Sequence, residues 1–127
     1  MAISNSIMAV KAGAVHVQGT YLGYGERCGN ANLSCIIPNL QLKLDYNCIP
    51  DYCMTNLTHT AHAISEISNI RLNATTPYVG KSAFAHKAGT HTDGVFKNTT
   101  SFEHINPQAV GNERRFLMSD QAGRTAV

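Results

Sequence analysis

Charged residues are scarce in this chain. Only 14% of its 127 residues are Asp, Glu, Lys or Arg, and the formal net charge is +2. Proteins that bind nucleic acid usually carry a clustered basic stripe on one face. Here the only adjacent basic residues are Arg114 and Arg115, which are typical of a solvated pair. The composition therefore argues against a nucleic-acid partner.

Long apolar runs are also missing. No run reaches the roughly 18 residues needed to cross a bilayer, and residues 1–10 lack the basic start and the small-residue cleavage site of a secretory signal. The four cysteines have spacings that fit neither paired C-x-x-C zinc ligands nor a dense secreted scaffold: Cys28, Cys35, Cys48 and Cys53. Two disulfides are possible by count. Reduced thiols in a cytoplasmic protein without membrane contact are the favoured interpretation.

The first third of the chain has clear periodicity. Apolar residues at helical spacing predict a helix over residues 1–12, with Gly13 as its C-cap. Alternating apolar residues predict a strand over residues 14–22. The spacing i, i+3, i+4, i+7 then predicts an amphipathic helix over residues 33–42, which Pro38 must kink or divide. This order corresponds to about one and a half βα units.

The remainder is less regular. Four apolar residues at helical spacing predict a helix over about residues 55–70: Leu57, Ala61, Ile64 and Ile67. His59 and His62, at spacing i, i+3, are possible metal ligands, but their place on the polar face without a third partner argues against this. Residues 71–77 are rich in Asn and Thr and indicate a linker, and residues 79–95 indicate a loop with a short helix.

A glycine-rich turn is the most informative local feature. Residues 25–32 follow the predicted strand and precede a predicted helix, and α/β folds place their chemistry at such positions. Gly25 and Gly29 permit tight or positive-φ backbone, and Asn30 brings an amide oxygen to the helix entrance. On these residues alone, Asn30 as the N-cap of the helix is the simpler interpretation.

Three blocks resemble the citramalate, 2-isopropylmalate and homocitrate synthase family, and the nearest subgroup is the citramalate synthases. Residues 23–30 resemble its G-x-G-E-R-x-G-N signature, residues 84–95 its H-K-x-G-x-H-x-D motif, and residues 104–112 its H-I-x-P-x-x-V-G-N segment. The blocks lie in the family's order and cover most of the chain.

The resemblance implies an α/β fold. Residues 1–44 would be the end of a (β/α)8 TIM-barrel catalytic domain, with residues 14–22 as its last strand between flanking helices. Residues 45–127 would form a mostly helical linker subdomain that carries a histidine-containing active-site loop. A complete barrel needs about 250 residues, so we expect this chain to be a fragment.

The same resemblance implies an enzyme. It would be an acyltransferase that converts the acyl group to alkyl on transfer, by Claisen-type condensation of acetyl-CoA with a 2-oxo acid. Pyruvate, which gives citramalate, is favoured as the second substrate, with 2-isopropylmalate or homocitrate synthesis as the alternative. The substrate-selecting pocket is expected mainly on earlier strands, and the resemblance assigns no contacts to CoA.

The resemblance also assigns site residues. It makes Asn30 a ligand of a divalent metal (Mg, Mn or Zn) and His91 the catalytic acid–base group. The other principal metal ligands belong to an H-x-H-N-D motif expected before Met1. We therefore expect the fragment alone to lack a complete metal site and to be inactive. Phe102 stands where family members often have a tyrosine whose hydroxyl assists the active site.

Several roles stay open at the level of sequence. Glu26 and Arg27 either pair structurally or contact substrate, His86 is expected to support its loop, and Asp93 either orients His91 or caps the next turn. Family members resemble homodimers in which the region after the barrel reaches the neighbour's active site. A different class also remains open, in which the chain is a non-catalytic structural or self-association module.

Overall fold

The computed structural model describes residues 1–87 and 89–117, and these residues are mainly helical. The helices are α1 (Ala2–Lys11), α2 (Leu33–Leu44), α3 (Asp51–Met54), α4 (Leu57–Ser68) and α5 (Gly89–Lys97), with short 3-10 turns at Tyr21–Gly23, Thr99–Ser101 and Pro107–Val110. Two short strands, β1 (Ala85–His86) and β2 (Arg115–Phe116), pair in parallel. Sequence reasoning missed both strands, because two residues are too few to show a period.

The predicted N-terminal helix is confirmed as α1, which ends at Lys11, and the predicted capping glycine, Gly13, follows the C-cap residue Ala12. The Gly13 N–H donates to the Val10 carbonyl and the Ala14 N–H donates to the Ala9 carbonyl, both at 2.9 Å. This pair of hydrogen bonds is a Schellman motif, which needs a left-handed residue after the helix. Gly13 supplies it with φ of +108°.

The predicted strand over residues 14–22 is wrong. Residues 14–19 have no regular structure, Thr20 forms an isolated parallel bridge with Asn32, and Tyr21–Gly23 is a 3-10 turn. An alternating pattern becomes a strand only where a neighbouring strand accepts and donates its backbone hydrogen bonds. Among the described residues this stretch has a single bridge, and the side chain of Val15 is fully exposed.

The helix predicted over residues 33–42 is confirmed as α2, which continues to Leu44. Pro38 does not divide it; the ring lies buried inside one continuous helix. Asp45 follows in the left-handed conformation, with φ of +58°, and ends the helix. The proposed domain division between residues 44 and 45 stays a prediction.

The helix predicted over about residues 55–70 is confirmed as α4, but its apolar stripe is only partly covered. Leu57 and Ala61 are buried, whereas Ile67 is 87% exposed. The core around α4 is formed by residues from both halves of the chain: Met54, Leu57, Ala61, Tyr78, Val79, Phe84 and Val110. Tyr21 ties the N-terminal half to this core, because its hydroxyl donates to the Leu57 carbonyl at 2.7 Å.

The loop with a short helix predicted over residues 79–95 is present, since α5 lies at its end. All four cysteines are free thiols, and burial raises the pKa of Cys35. Within the described residues, no helix combines the length and the apolar character required to span a membrane.

Candidate functional site

Backbone hydrogen bonds close the glycine-rich segment into a turn over residues 23–32, here called the 23–32 turn. The Asn30 N–H donates to the Gly23 carbonyl at 2.8 Å, and the Gly29 N–H donates to the Glu26 carbonyl at 2.9 Å. Gly29 has φ of +91°, and a Cβ at this position would overlap the Gly23 carbonyl oxygen. The turn therefore requires glycine at position 29 for both reasons.

The 23–32 turn has a space shaped for the Asn30 side chain. The Asn30 Nδ2 donates to the Tyr24 carbonyl at 3.0 Å. A Cβ on Gly25 would overlap that same nitrogen, so only glycine at position 25 leaves room for the amide. Asn30 is exposed, and its side-chain oxygen accepts no hydrogen bond from the described part of the chain. The amide is thus fixed by its nitrogen and leaves its oxygen free to act as a ligand.

The N-cap of α2 is Asn32. Its side-chain oxygen accepts hydrogen bonds from the Ser34 N–H at 2.9 Å and from the Ser34 hydroxyl at 2.6 Å. The capping interpretation of Asn30 is therefore wrong. Sequence reasoning missed Asn32, although its place directly before the first helical residue, Leu33, was the ordinary signal for a cap.

Glu26 and Arg27 form an ion pair at 3.0 Å, but both side chains lie in solvent, 85% and 83% exposed. Exposed pairs of this kind contribute little to stability. Within the described residues the two side chains form no other hydrogen bond, and a bracing role and a substrate role for them both stay predictions.

The described residues supply one candidate metal ligand rather than a whole centre. Among residues 1–87 and 89–117, no group of three His, Cys, Asp or Glu side chains is placed to hold a metal ion. His59 and His62 are exposed on α4. The side-chain oxygen of Asn30 suits a hard divalent cation. To complete a metal site around it, further ligands would have to come from outside these residues.

His91 lies on α5 with its ring exposed and stacked on Phe102. The ring centroids are 4.3 Å apart and the planes are inclined by 27°. Gly94, three residues after His91, makes this possible, because a Cβ there would collide with the Phe102 ring. Where many relatives are expected to have a tyrosine hydroxyl, this chain has a phenyl ring against the candidate acid–base histidine.

A cluster centred on a buried carboxylate lies beside this stack, formed by His86, Glu103 and the half-buried Arg114 and here called the Glu103 cluster. The Arg114 Nε and Nη2 donate to the two Glu103 carboxylate oxygens at 2.8 and 2.6 Å, and the His86 Nε2 lies 2.9 Å from Oε1. The Glu103 side chain is 3% exposed. Hydrogen bonds from Arg114, and then from His86, hold the pKa of Glu103 below its ordinary value.

Sequence reasoning placed His86 in a supporting role but missed both of its partners. Glu103 lies 17 residues after His86, and Arg114 lies 11 residues after Glu103. No periodic pattern connects positions so far apart. Glu103 lies between Phe102 and His104, so its immediate neighbours in the sequence give only a weak signal that the carboxylate is buried.

In the described part of the chain, the Asp93 carboxylate forms no hydrogen bond to His91 and accepts none from a backbone N–H. Its carboxylate pairs with Lys97 at 2.6 Å, one turn further along α5. The spacing i, i+4 between opposite charges is a sequence signal that identifies this pair.

The structure does not bring the two predicted site residues into contact. Asn30 lies on the 23–32 turn, His91 lies on α5, and no hydrogen bond joins these two segments in the described part of the chain. Asn30 is held by backbone hydrogen bonds and glycines, whereas His91 is held by aromatic and charged side chains.

Comparison with known proteins connects both regions to one kind of protein. Residues 1–72 match the HMGL-like family, and residues 78–127 match the homocitrate synthase post-HMGL domain-like family. The chain belongs to the HMGL-like family. The family resemblance drawn from the three sequence blocks is thereby confirmed.

Individual relatives of this HMGL-like chain are similar over almost its whole length. An (R)-citramalate synthase from Synechocystis sp. is 56% identical over 126 residues, covering 99% of this chain and 23% of the relative. An (R)-citramalate synthase from Aquifex aeolicus is 55% identical, and the match covers 98% of this chain and 24% of the relative. A probable 2-isopropylmalate synthase from Methanopyrus kandleri is 38% identical, covering 100% and 25%. The chain thus spans about a quarter of the length of these curated relatives.

Proposed function

We propose that this chain is part of an acyltransferase that joins acetyl-CoA to a 2-oxo acid, with pyruvate as the favoured substrate. Five relatives named as (R)-citramalate synthases share between 45% and 56% identity with it, whereas three named as 2-isopropylmalate synthases or probable ones share 38%. Synthesis of 2-isopropylmalate or homocitrate is the alternative within the same class.

The observation that carries this proposal is the way in which the 23–32 turn holds the Asn30 side chain. Gly25 leaves space for the amide, and Tyr24 holds its nitrogen. Asn32 performs the capping that would otherwise account for an asparagine here. Asn30 is thus fixed through its nitrogen and caps no helix, and its amide oxygen suits a divalent cation.

The two site residues have separate tasks in this proposal. A divalent cation held by Asn30, with further ligands from outside this chain, would polarise the carbonyl of the 2-oxo acid. His91 accepts a proton from the methyl group of acetyl-CoA. Histidine suits this task because it exchanges protons near neutral pH. The exposure of His91 supports the assignment, since its ring is open to a substrate on the side away from Phe102.

We further propose that residues 1–44 are the end of a (β/α)8 barrel. Thr20 pairs in parallel with Asn32, and residues 15–19 before it form no backbone hydrogen bonds in the described structure. Neighbouring barrel strands would supply hydrogen bonds to this stretch and cover the exposed side chain of Val15. The proposal thus accounts for an alternating pattern that forms no strand within this chain.

A homodimer would bring the two sites together, with His91 serving the metal site of the neighbouring subunit. The lack of contact between Asn30 and His91 in the described residues supports this arrangement. So does the exposed apolar surface at Ile67 and Phe96, which association would cover.

A hybrid enzyme tests the proposed activity. The matching segment of the Synechocystis (R)-citramalate synthase is replaced by this chain, giving what we call the hybrid synthase. We expect release of free CoA that depends on pyruvate, because 56% identity preserves the packing and the two site residues take up their tasks. A folded hybrid that releases CoA no faster than the buffer blank would contradict the proposal.

Mixing of subunits tests the dimer. A His91→Ala hybrid is combined with a hybrid that lacks the metal ligands outside this segment, and exchange of subunits is monitored with two fluorescent labels. If His91 acts on the neighbour's site, mixed dimers regain one intact site and activity returns. Exchange without any recovery would show that His91 serves its own subunit or no reaction.

A further inference from the structure

Glu103 is fixed more completely than a surface-loop residue requires. Its carboxylate accepts two hydrogen bonds from Arg114 and lies within hydrogen-bond distance of the His86 ring. Its N–H also donates to the Thr99 carbonyl at 3.1 Å. Arg114 and His86 are attached to the paired strands β2 and β1, since Arg115 lies opposite Ala85. The carboxylate is therefore held by the sheet while its backbone belongs to the turn before it.

That turn also carries Phe102, the residue directly before Glu103. Its beginning is held by Asn98, whose N–H donates to the Gly94 carbonyl at 2.8 Å and whose side chain accepts from the Thr100 N–H at 3.1 Å. The turn is thus bound at one end to α5 and, through Glu103, at the other end to the sheet, so the backbone that carries the Phe102 ring is held on both sides.

Phe102 uses this fixed position to contact His91. Its ring occupies the space left by Gly94 and covers one face of the imidazole at a centroid distance of 4.3 Å. Two links therefore connect the buried carboxylate to the exposed imidazole. Glu103 follows Phe102 directly in the chain, and the Phe102 ring stacks on the His91 ring.

We propose that Glu103, held by Arg114 and His86, is a positioning residue that fixes Phe102 and, through that ring, the orientation of His91. The kinetic consequence of this proposal rests on the proposed function of His91. The conformational part does not, because it concerns the packing of one ring on another.

Nuclear magnetic resonance of the 127-residue chain tests the conformational part. The stack places the His91 ring protons over the Phe102 face, where the ring current displaces their resonances upfield. Phe102→Leu removes the displacement and defines its size. We expect Glu103→Gln to lose most of it, whereas Glu113→Gln, a carboxylate that is 69% exposed on the neighbouring segment, keeps it.

Arg114→Lys is the second variant, for the case in which Glu103→Gln does not fold. It keeps the positive charge but loses the two-pronged hydrogen bonding that only a guanidinium gives, so a smaller loss in the same direction is expected. A folded Glu103→Gln or Arg114→Lys chain with the full upfield displacement would overturn the proposal. Unfolding of both variants would overturn it too, since the cluster would then hold the fold rather than the ring.

The hybrid synthase tests the kinetic part. Misplacing a reacting group by about 1 Å costs up to roughly 100-fold in rate, so Glu103→Gln is expected to lower kcat by about 10- to 100-fold and leave KM for pyruvate unchanged. A purely structural loss would instead reduce the fraction of active enzyme, measured by thermal unfolding. If Glu103→Gln loses the upfield displacement but keeps its kcat, the claim that Glu103 positions His91 would stand, and the catalytic role of His91 would be overturned.

Discussion

The 23–32 turn and the region around His91 each hold one of the two proposed site residues, but they are built in opposite ways. The turn is held by backbone hydrogen bonds and by the absence of side chains at Gly25 and Gly29. The His91 region is held by side chains, namely the Glu103 cluster and the Phe102 ring. The first framework is local and is encoded in ten consecutive residues. The second depends on residues that meet only after the chain has folded.

The largest effect on stability is expected where a carboxylate is buried. Glu103→Ala leaves Arg114 and His86 without their shared carboxylate. The charge that remains on Arg114 is 30% exposed, so we expect a loss of about 2–4 kcal/mol from the missing charged hydrogen bonds. Urea unfolding of the chain measures the change. Glu113→Ala is the matched control and should stay within about 0.5 kcal/mol of the parent. Equal losses in the two variants would remove the distinction between buried and exposed carboxylates.

Acid should weaken the His91 region before the 23–32 turn. Arg114 lowers the folded-state pKa of Glu103, so the stabilisation is fully present above the ordinary carboxyl pKa and is lost as the pH falls through the lowered value. The difference in Tm between the parent and Glu103→Gln should therefore narrow steadily below a pH of about 4.3. A difference that stays constant down to a pH of about 2 would contradict the charge-based account.

The stability of the 23–32 turn should be most sensitive to a methyl group added at Gly29. Gly29→Ala forces a positive φ on a residue with a Cβ, which costs on the order of 1–3 kcal/mol, and places that Cβ against the Gly23 carbonyl. Gly13→Ala is the control, because it also has positive φ but meets no atom within 4 Å. The free energy of unfolding should fall further in Gly29→Ala. Equal losses would mean that conformation alone, without the close approach, requires glycine at position 29.

The smallest expected effect on stability is the difference between replacing Asn30 and replacing Asn32, the two asparagines of the turn. Asn32→Ala removes the cap of α2 and should cost about 1 kcal/mol. Asn30→Ala removes an exposed side chain with one hydrogen bond to Tyr24, and it should change stability by less than about 0.5 kcal/mol. Thermal unfolding of both variants makes the comparison. A larger loss for Asn30→Ala would return the structural role to that residue.

The sequence was a good guide wherever the determinants are local. Helical spacing located α1, α2 and α4, and the signature of the 23–32 turn singled out Asn30. The alternation over residues 14–22 misled, because a strand also needs a partner, and the described chain offers a single bridge. The Glu103 cluster could not be found from spacing, since its members are brought together by the pairing of β1 with β2.

The binding of metal and 2-oxo acid by the hybrid synthase tests the central claim, that Asn30 is held for a ligand rather than for the fold. Altering even an outer-shell residue of a metal site costs about 10- to 100-fold in affinity, so loss of a direct ligand in Asn30→Ala should raise the half-activating Mn²⁺ concentration and KM for pyruvate together by at least about 100-fold. The Tm should stay unchanged, and Asn32→Ala should show the reverse pattern. Unchanged metal and pyruvate dependence in a folded Asn30→Ala hybrid would contradict the claim.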